Sequence, residues 1–342
     1  MRVLLDTTYA RRAPYSGTAV YLERLTDALA AIDGVEIVEA SNPRRRPPAG
    51  GGAGSVRNAC ADNLWTEVQL PRLARACGAD LIHHPLPARA HASAIRQVIT
   101  VHDLAFERVP DRFDRGYRRY ARLTHRAAAR AAEAVVCVST STAAEVRERW
   151  GVASERIVVA HHGPGQELGP VARVQPTHFL YVGDDQPRKN LAALLEAHRR
   201  YTDAAPEPLA LVLAGSAAAR RPGVRTERHP SSARLAELHA ATAALVHPAL
   251  DEGFGLTLLE AMRVGTPVIT AASPAIVEVC GDAVRYADPR DPESLAAALS
   301  AVASSGTLQR ELGERGRRRA ATFSWNLSAR AHLHAYSLAQ AR

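Results

Sequence analysis

Glu252 and Glu260 bracket the run Gly253-Phe-Gly-Leu-Thr-Leu-Leu259, and this spacing is where chemistry is most legible in the chain. The residues before it, Leu245-Val246, read as the end of a strand, and a helix opens near Leu256. Gly253 and Gly255 let the backbone approach a ligand closely. The free amides of the first helical turn make an anion site. Carboxylates beside an anion site suit a ligand that carries phosphate and also presents hydroxyls, as a sugar and a ribose do. The plainer alternative is a capped amphipathic helix with two solvated glutamates.

A second cluster follows the strand pattern Phe179–Val182: Gly183-Asp-Asp-Gln-Pro-Arg188-Lys189-Asn190. Cations at the start of a helix oppose its macrodipole. A bound diphosphate would relieve that conflict, with amides and both cations converging on it. Lys189 is the only lysine among 43 basic residues. Where every other cation is arginine, a lone lysine marks a position that wants a compact ammonium on a flexible stem. A solvated Arg-Lys pair is the alternative. His102 directly follows the strand pattern Ile99-Thr-Val101 and can hydrogen-bond a hydroxyl or a phosphate, or serve as a satisfied structural histidine. Ser16-Gly17-Thr18 opens the first long helix and can bring amides toward the same ligand, or be only a turn and a cap.

The elements that must position these residues alternate β-rich runs with helical patterns, which predicts parallel sheets with crossover helices. First-half strands are expected at Val3–Asp6, Leu81–His83, Val98–Val101, Val135–Val138 and Ile157–Ala160, with a helix over Ala19–Ala31. Second-half strands are expected at Phe179–Val182, Leu209–Leu213, Leu245–Val246, Pro267–Thr270 and Val284–Tyr286. The helices between them are expected at Asn190–Tyr201, Ala233–Ala243, Leu256–Val264, Pro292–Ala303 and Thr307–Ala321. The Gly/Pro-rich stretch 162–170 reads as a linker. Two doubly wound domains result, with a ligand site at the carboxyl ends of their strands, in the cleft between them. Residues 42–58, with Arg44-Arg-Arg46, Pro47-Pro48 and Gly50-Gly-Gly52, read as a flexible loop.

Composition narrows the function classes. The apolar share of 46% and charged share of 23% are those of a globular protein. No apolar run reaches the roughly 18 residues of a spanning helix. Asp6 cuts the first apolar run short, so the N-terminus reads as a strand and a cytoplasmic location is expected. Cys60, Cys77, Cys137 and Cys280 have no paired spacing, which excludes metal-knuckle and redox motifs. The net charge of +8 permits an anionic partner. In the arginine run Arg112, Arg115, Arg118, Arg119, Arg122, Arg126 and Arg130, the five from Arg115 to Arg126 fall mostly on one helical stripe, with Phe113, Tyr117 and Tyr120 interleaved. That stripe reads as a solvated face, as a peripheral contact with an anionic membrane, or as an anionic-acceptor site. Nucleic acid is not expected, because no recognition motif accompanies the charge.

Taken together, these residues resemble the family 4 retaining glycosyltransferases. The likeness is carried by Gly17, His102-Asp103, Val138-Ser139, Val182-Gly183 with Arg188-Lys189-Asn190, and above all Glu252-Gly-Phe-Gly-Leu with Glu260-Ala-Met and Gly265-Thr-Pro-Val268. It covers nearly the whole chain. It implies an α/β GT-B fold of two doubly wound parallel-sheet Rossmann-like domains with an inter-domain cleft. Residues 1–165 would form an acceptor-binding domain and 172–324 a donor-binding domain, with the C-terminal helix 325–342 packing back on the first.

The resemblance implies catalytic roles for His102, Arg188, Lys189 and Glu252. It implies donor contacts from Gly17, Gly183, Arg188, Lys189, Glu252, Gly253, Phe254, Gly255, Leu256, Thr257 and Glu260. Lys189 and Arg188 would neutralise the departing diphosphate, Glu252 would contact the hexose, and Glu260 would hold the ribose. No metal or other cofactor is implied, since protein cations stand at the leaving group. The partners would be a nucleotide-sugar donor, with GDP-mannose ahead of UDP-sugars, and a glycan, lipid-linked or small-molecule acceptor. The expected reaction is hexosyl transfer with retention. The alternatives are a nucleotide-sugar epimerase of the same architecture and a non-catalytic sugar-nucleotide or membrane-binding module. Two positions depart from the family pattern: Asp184 stands where arginine often follows the glycine, and Thr257 where proline is common.

Overall fold

In the computed structural model, which describes residues 1–46 and 52–342, the β-rich runs form two six-stranded parallel sheets. The chain divides into two units. The first holds Met1–Leu104, Phe113–Gly163 and Ser324–Arg342, and the second holds Ala105–Arg112 and Pro164–Phe323.

The sheet of the first unit comprises β1 (Arg2–Asp6), β2 (Glu36–Ala40), β3 (Leu81–His84), β4 (Arg96–Val101), β5 (Ala134–Cys137) and β6 (Ile157–Val159). Their spatial order is β2-β1-β3-β4-β5-β6, with Val3 beside both Ile37 and Leu81. Every residue of β3 and β5 is buried, as expected for central strands covered on both faces. The edge strand β2 exposes Glu36 and Glu39, and these charges are why its sequence does not announce a strand. The helix Gly17–Ala30 is capped by Ser16, whose hydroxyl accepts from the Ala19 N–H at 3.2 Å. It buries Tyr21, Leu22, Leu25 and Leu29.

The helix Trp325–Gln340 packs Ala329, Ala335, Tyr336 and Ala339 into the same core. It is also tied by a buried polar chain. The Tyr336 hydroxyl meets His83 Nδ1 at 2.8 Å, and His83 Nε2 meets the Thr100 hydroxyl at 2.8 Å. Thr100 meets Tyr21 at 2.9 Å, and Tyr21 meets His332 Nε2 at 2.9 Å. The His332 Nδ1–H donates to the Ser328 carbonyl at 2.8 Å, which sets its tautomer.

The second sheet comprises β7 (His178–Gly183), β8 (Ala210–Gly215), β9 (Val224–Arg228), β10 (Thr242–His247), β11 (Val268–Thr270) and β12 (Arg285–Tyr286), in the order β12-β11-β10-β7-β8-β9. Its core gathers Phe179, Tyr181, Leu194, Leu213, Val246, Leu295 and Leu299. Like β2, β9 is an edge strand with mostly exposed polar residues, and the sequence pattern does not announce it.

Two expectations are corrected. The helix expected over Ala233–Ala243 ends at Ala240, and Ala243 lies buried in β10. Alanine favours helix locally, but pairing in a central strand overrides that preference. The loop expected over 42–58 is a helix from Gly52 onward, Gly52–Leu64. The Asn58 side chain pairs with the Arg46 backbone, and the Asn42 side-chain amide donates to the Ala61 carbonyl at 3.0 Å. Those tertiary bonds hold a Gly/Pro/Arg composition that reads as loose; residues 47–51 lie outside the described residues.

Candidate functional site

Neighbouring strands β7 and β10 each end in a loop that carries residues singled out above. After β7, the Tyr181 hydroxyl donates to the Asp184 carbonyl at 2.5 Å. The Asp184 carboxylate accepts from the Gln186 backbone N–H at 3.1 Å and from its side-chain amide at 2.9 Å. Asp184 therefore closes the turn that leads into the 3-10 turn Pro187–Lys189. Asn190 then adopts the left-handed conformation at φ 58°, which asparagine tolerates better than most residues. Its side-chain amide donates to the carbonyls of Pro248 at 3.2 Å and Pro289 at 2.6 Å. The Leu250 N–H donates to the Arg188 carbonyl at 2.9 Å. The two loops are thus stitched together before any charge is considered.

Glu252 is the hub of the charges. Its Oε2 lies 2.6 Å from Lys189 Nζ, 3.3 Å from His247 Nε2 and 3.6 Å from Arg188 Nη1. These four side chains are each at least four-fifths buried. Burial alone would raise the Glu252 carboxyl, but Lys189, His247 and Arg188 outweigh it and hold it well below the usual carboxylate range. Burial pushes the His247 imidazole below its ordinary value, against the pull of Glu252.

The helix Leu256–Arg263 starts beside this hub. Gly255 is its N-cap at φ 89°, and no side chain caps the first turn. A Cβ on Gly255 would come within 2.9 Å of both Ile276 Cδ1 and Leu258 Cδ1, which would have to move aside, so it is chiefly the positive φ that favours glycine. Gly253 is buried, and Leu256 and Thr257 are half-buried. The Phe254 ring packs edge to face on Phe323, so this residue offers a ligand backbone rather than ring. Glu260 is 5% exposed, and its Oε1 accepts from the Gln166 N–H at 2.8 Å.

The structure brings Gly183, Arg188, Lys189, Glu252, Gly253, Phe254, Gly255, Leu256, Thr257 and Glu260 together on the second unit. Gly17 and His102 belong to the first unit. Gly17 is the first residue of its helix. His102 directly follows β4, donates from Nε2 to the Pro85 carbonyl at 2.9 Å, and stands edge-on to Tyr21 at 4.9 Å. Burial lowers its pKa.

Several roles in the site escape the sequence reading. Asn190 is the pivot between the loops, and His247 is a third neighbour of Glu252. Gln166 falls in a stretch that reads as a linker, yet residues 162–165 are buried. Asp251 is paired with Arg108. Gln166 and Asp251 have no local signal, because each acts through a partner distant in sequence; Asn190 stands in the run Arg188-Lys189-Asn190 and His247 close to Glu252, but only the fold shows what they hold. Among the described residues, no group of three or more His, Cys, Asp or Glu side chains is placed to hold a metal ion.

Residues 15–164 match the family model described as Glycosyltransferase Family 4, and residues 170–319 match Glycosyl transferases group 1. This chain belongs to the family 4 glycosyltransferases. Among relatives of this glycosyltransferase is O-antigen chain mannosyltransferase B of Escherichia coli, 26% identical over 71% of this chain and 70% of the relative. Another is the MMP alpha-(1->4)-mannosyltransferase of Mycolicibacterium hassiacum, 30% identical over 61% of this chain and 54% of the relative. Other curated relatives are matched over less of their length, down to 23% for a D-inositol 3-phosphate glycosyltransferase of Streptomyces griseus.

Sucrose-phosphate synthase from Thermosynechococcus elongatus shares the fold at a TM-score of 0.77, with 19% identity and 98% coverage of both chains. WaaG, a glycosyltransferase involved in lipopolysaccharide biosynthesis, does so at 0.74, with 19% identity and 99% coverage of both. The fold is α/β GT-B, with two Rossmann-like domains.

Proposed function

We propose that this glycosyltransferase moves mannose, with retention, from GDP-mannose to a hydroxyl of a glycan, lipid-linked or small-molecule acceptor. The observation that carries this reading is the cluster of Lys189, Arg188 and His247 on Glu252, beside the uncapped first turn of the helix Leu256–Arg263. Cations and amides converge there, next to a carboxylate that can accept from a hydroxyl. The names of the relatives support mannose, and a structural neighbour solved with UDP and glucose supports a nucleotide-sugar donor.

In this mechanism the bond between the anomeric carbon and the phosphate oxygen breaks, and its electron pair leaves with the diphosphate. Lys189 and Arg188 stabilise that charge without a metal or other cofactor. Glu252 orients the hexose through its hydroxyls, and Gly183 and Gly253 to Thr257 offer backbone to the phosphate and sugar. Glu260 holds the ribose, with one oxygen fixed by Gln166. We assign the first unit to acceptor binding and the second to the donor; His102 serves the transferred sugar and the acceptor, and Gly17 the donor. The acceptor oxygen bonds to the anomeric carbon on the face the phosphate leaves, and its proton passes to the departing phosphate oxygen.

A panel of GDP-, UDP-, ADP- and TDP-sugars tests the reading by thermal shift. A true donor at a hundredfold its Kd stabilises by about 2.7 kcal/mol. A flat panel refutes it, as does a transfer product of inverted anomeric configuration.

We further propose a cytoplasmic protein that rests peripherally on an anionic membrane through the segment Arg112–Arg130. The helix Arg115–Ala131 buries only Ala121, Ala128 and Ala129. Tyr120 is 55% and Leu123 72% exposed, beside the arginine stripe. No helix among the described residues is long and apolar enough to cross a membrane.

A further inference from the structure

Asp251, which precedes Glu252, is 3% exposed along its side chain, and a buried carboxylate needs a partner. Arg108 supplies it, with Nε 2.8 Å from Asp251 Oδ1, from a side chain that is itself 14% exposed. The same guanidinium reaches the Glu252 carbonyl, with Nη2 at 3.4 Å. Arg108 ends the short helix Ala105–Arg108, in the segment Ala105–Arg112 that belongs to the second unit although both of its chain neighbours belong to the first. Ala105 and Phe106 of that segment are buried, so Arg108 projects from a fixed base. On the other flank of Asp251, the Leu250 N–H is held by the Arg188 carbonyl.

We infer that Arg108 is a positioning residue for Glu252. Its ion pair with Asp251 and its bond to the Glu252 carbonyl clamp the backbone from which the Glu252 carboxylate is aimed. Without Arg108, the Asp251 carboxylate must take up a proton or turn toward water. A turn of Asp251 drags the adjoining peptide and moves Glu252 off Lys189. Arg108 itself touches no donor atom in this scheme. Lys189 and Arg188 sit on the neighbouring loop, which Asn190 also anchors to the Pro289 carbonyl, so the cations keep a hold that does not run through Arg108. The inference rests on the donor-site reading above for its kinetic consequence, but not for its structural one.

Arg108→Gln, Arg108→Lys and the double variant Arg108→Gln/Asp251→Asn are compared with the wild type by three measurements: GDP affinity by calorimetry, GDP release from GDP-mannose with water as acceptor, and a crystal structure. A displacement of order 1 Å at a reacting group costs up to about a hundredfold in rate. For Arg108→Gln we expect kcat to fall by about 10- to 100-fold while GDP binding is not weakened, tightening by at most about tenfold as Glu252 releases the two cations. Arg108→Lys should recover part of the rate. The double variant should lose less than Arg108→Gln alone, since it leaves no unmatched buried charge.

A kcat within twofold of wild type in Arg108→Gln overturns the inference. So does a parallel loss of GDP binding and thermal stability, which marks a merely structural role. The crystal structure decides even if the wild type uses no nucleotide sugar, an outcome that refutes the donor-site reading alone. In Arg108→Gln, a Glu252 carboxylate still in contact with Lys189 overturns the inference, and a displaced one sustains it.

Discussion

At the scale of single residues, the site is a balance of charges around one carboxylate. Glu252 neutralises Lys189 and Arg188 in this structure, so a diphosphate that binds those cations must compete with it. The two roles proposed for Glu252, counter-ion and sugar ligand, therefore pull apart in one variant. Glu252→Gln should lower transfer from GDP-mannose by orders of magnitude. It should also tighten GDP itself by about three- to tenfold, because about 1.4 kcal/mol of competition corresponds to a factor of ten. Turnover and calorimetry on the same preparation check this; an unchanged rate, or weaker GDP binding, sinks the assignment. Lys189, the only lysine, places a compact charge 2.6 Å from that carboxylate. An arginine there would replace that point charge with a planar, delocalised fork.

At the scale of elements, the decisive unit is a strand, a loop and the start of a helix, used twice side by side. The entry into the helix Leu256–Arg263 turns on Gly255, whose left-handed backbone strains any residue with a side chain. Gly255→Ala should destabilise the second unit by about 1–3 kcal/mol through backbone strain alone, read as a lowered Tm. A Tm equal to wild type would show that the loop relaxes freely. In the first unit, the helix Trp325–Gln340 is fastened by the chain of hydroxyls and imidazoles from Tyr336 to Ser328. Burial lowers the His332 pKa to about 4. Burial and the neighbouring imidazoles hold His83 and His162 well below the ordinary value. The unfolded chain takes these protons near about pH 6.5. Between that pH and about 4, the unfolded state binds more protons than the folded one, so stability falls as pH drops through this window. Thermal melts from pH 7 to 4 should show that decline, and His332→Gln should flatten it; equal slopes would refute the link.

At the scale of the whole molecule, the excess of positive charge is unevenly used. Much arginine is spent on local pairs, such as Arg199 and Arg200 with Glu196 and Arg234 with Glu227. The helix Arg115–Ala131 instead presents arginines beside exposed Tyr117, Tyr120 and Leu123, with little apolar surface of its own in the core. Membrane attraction of this kind weakens with salt, because ionic screening shortens its reach to about 8 Å at physiological strength. The chain should co-sediment with vesicles containing anionic lipid, less so at 0.5 M salt than at about 0.1 M. Leu123→Asp with Tyr120→Ser should abolish sedimentation without changing GDP affinity. Equal binding to neutral vesicles would remove the electrostatic part of the proposal.

The parallel α/β architecture, the paired strand–loop–helix modules and most of the site residues were legible from sequence. Their signals are contiguous within each module: a buried strand, two glycines and a helix start around Glu252, and a buried strand, a glycine and a cation pair around Lys189. The edge strands β2 and β9 were not legible, because exposed edges carry charge and blur the alternation that marks a strand. The helical half of 42–58 was hidden for a related reason, since Asn42 and Asn58 stabilise it through partners a dozen or more residues away. What only the tertiary structure decided is who faces Glu252. Lys189 reaches it across 63 positions and Arg108 across 144. A motif declares which groups are available, but the electrostatics of a buried carboxylate depend on distances of a few ångströms that only folding creates.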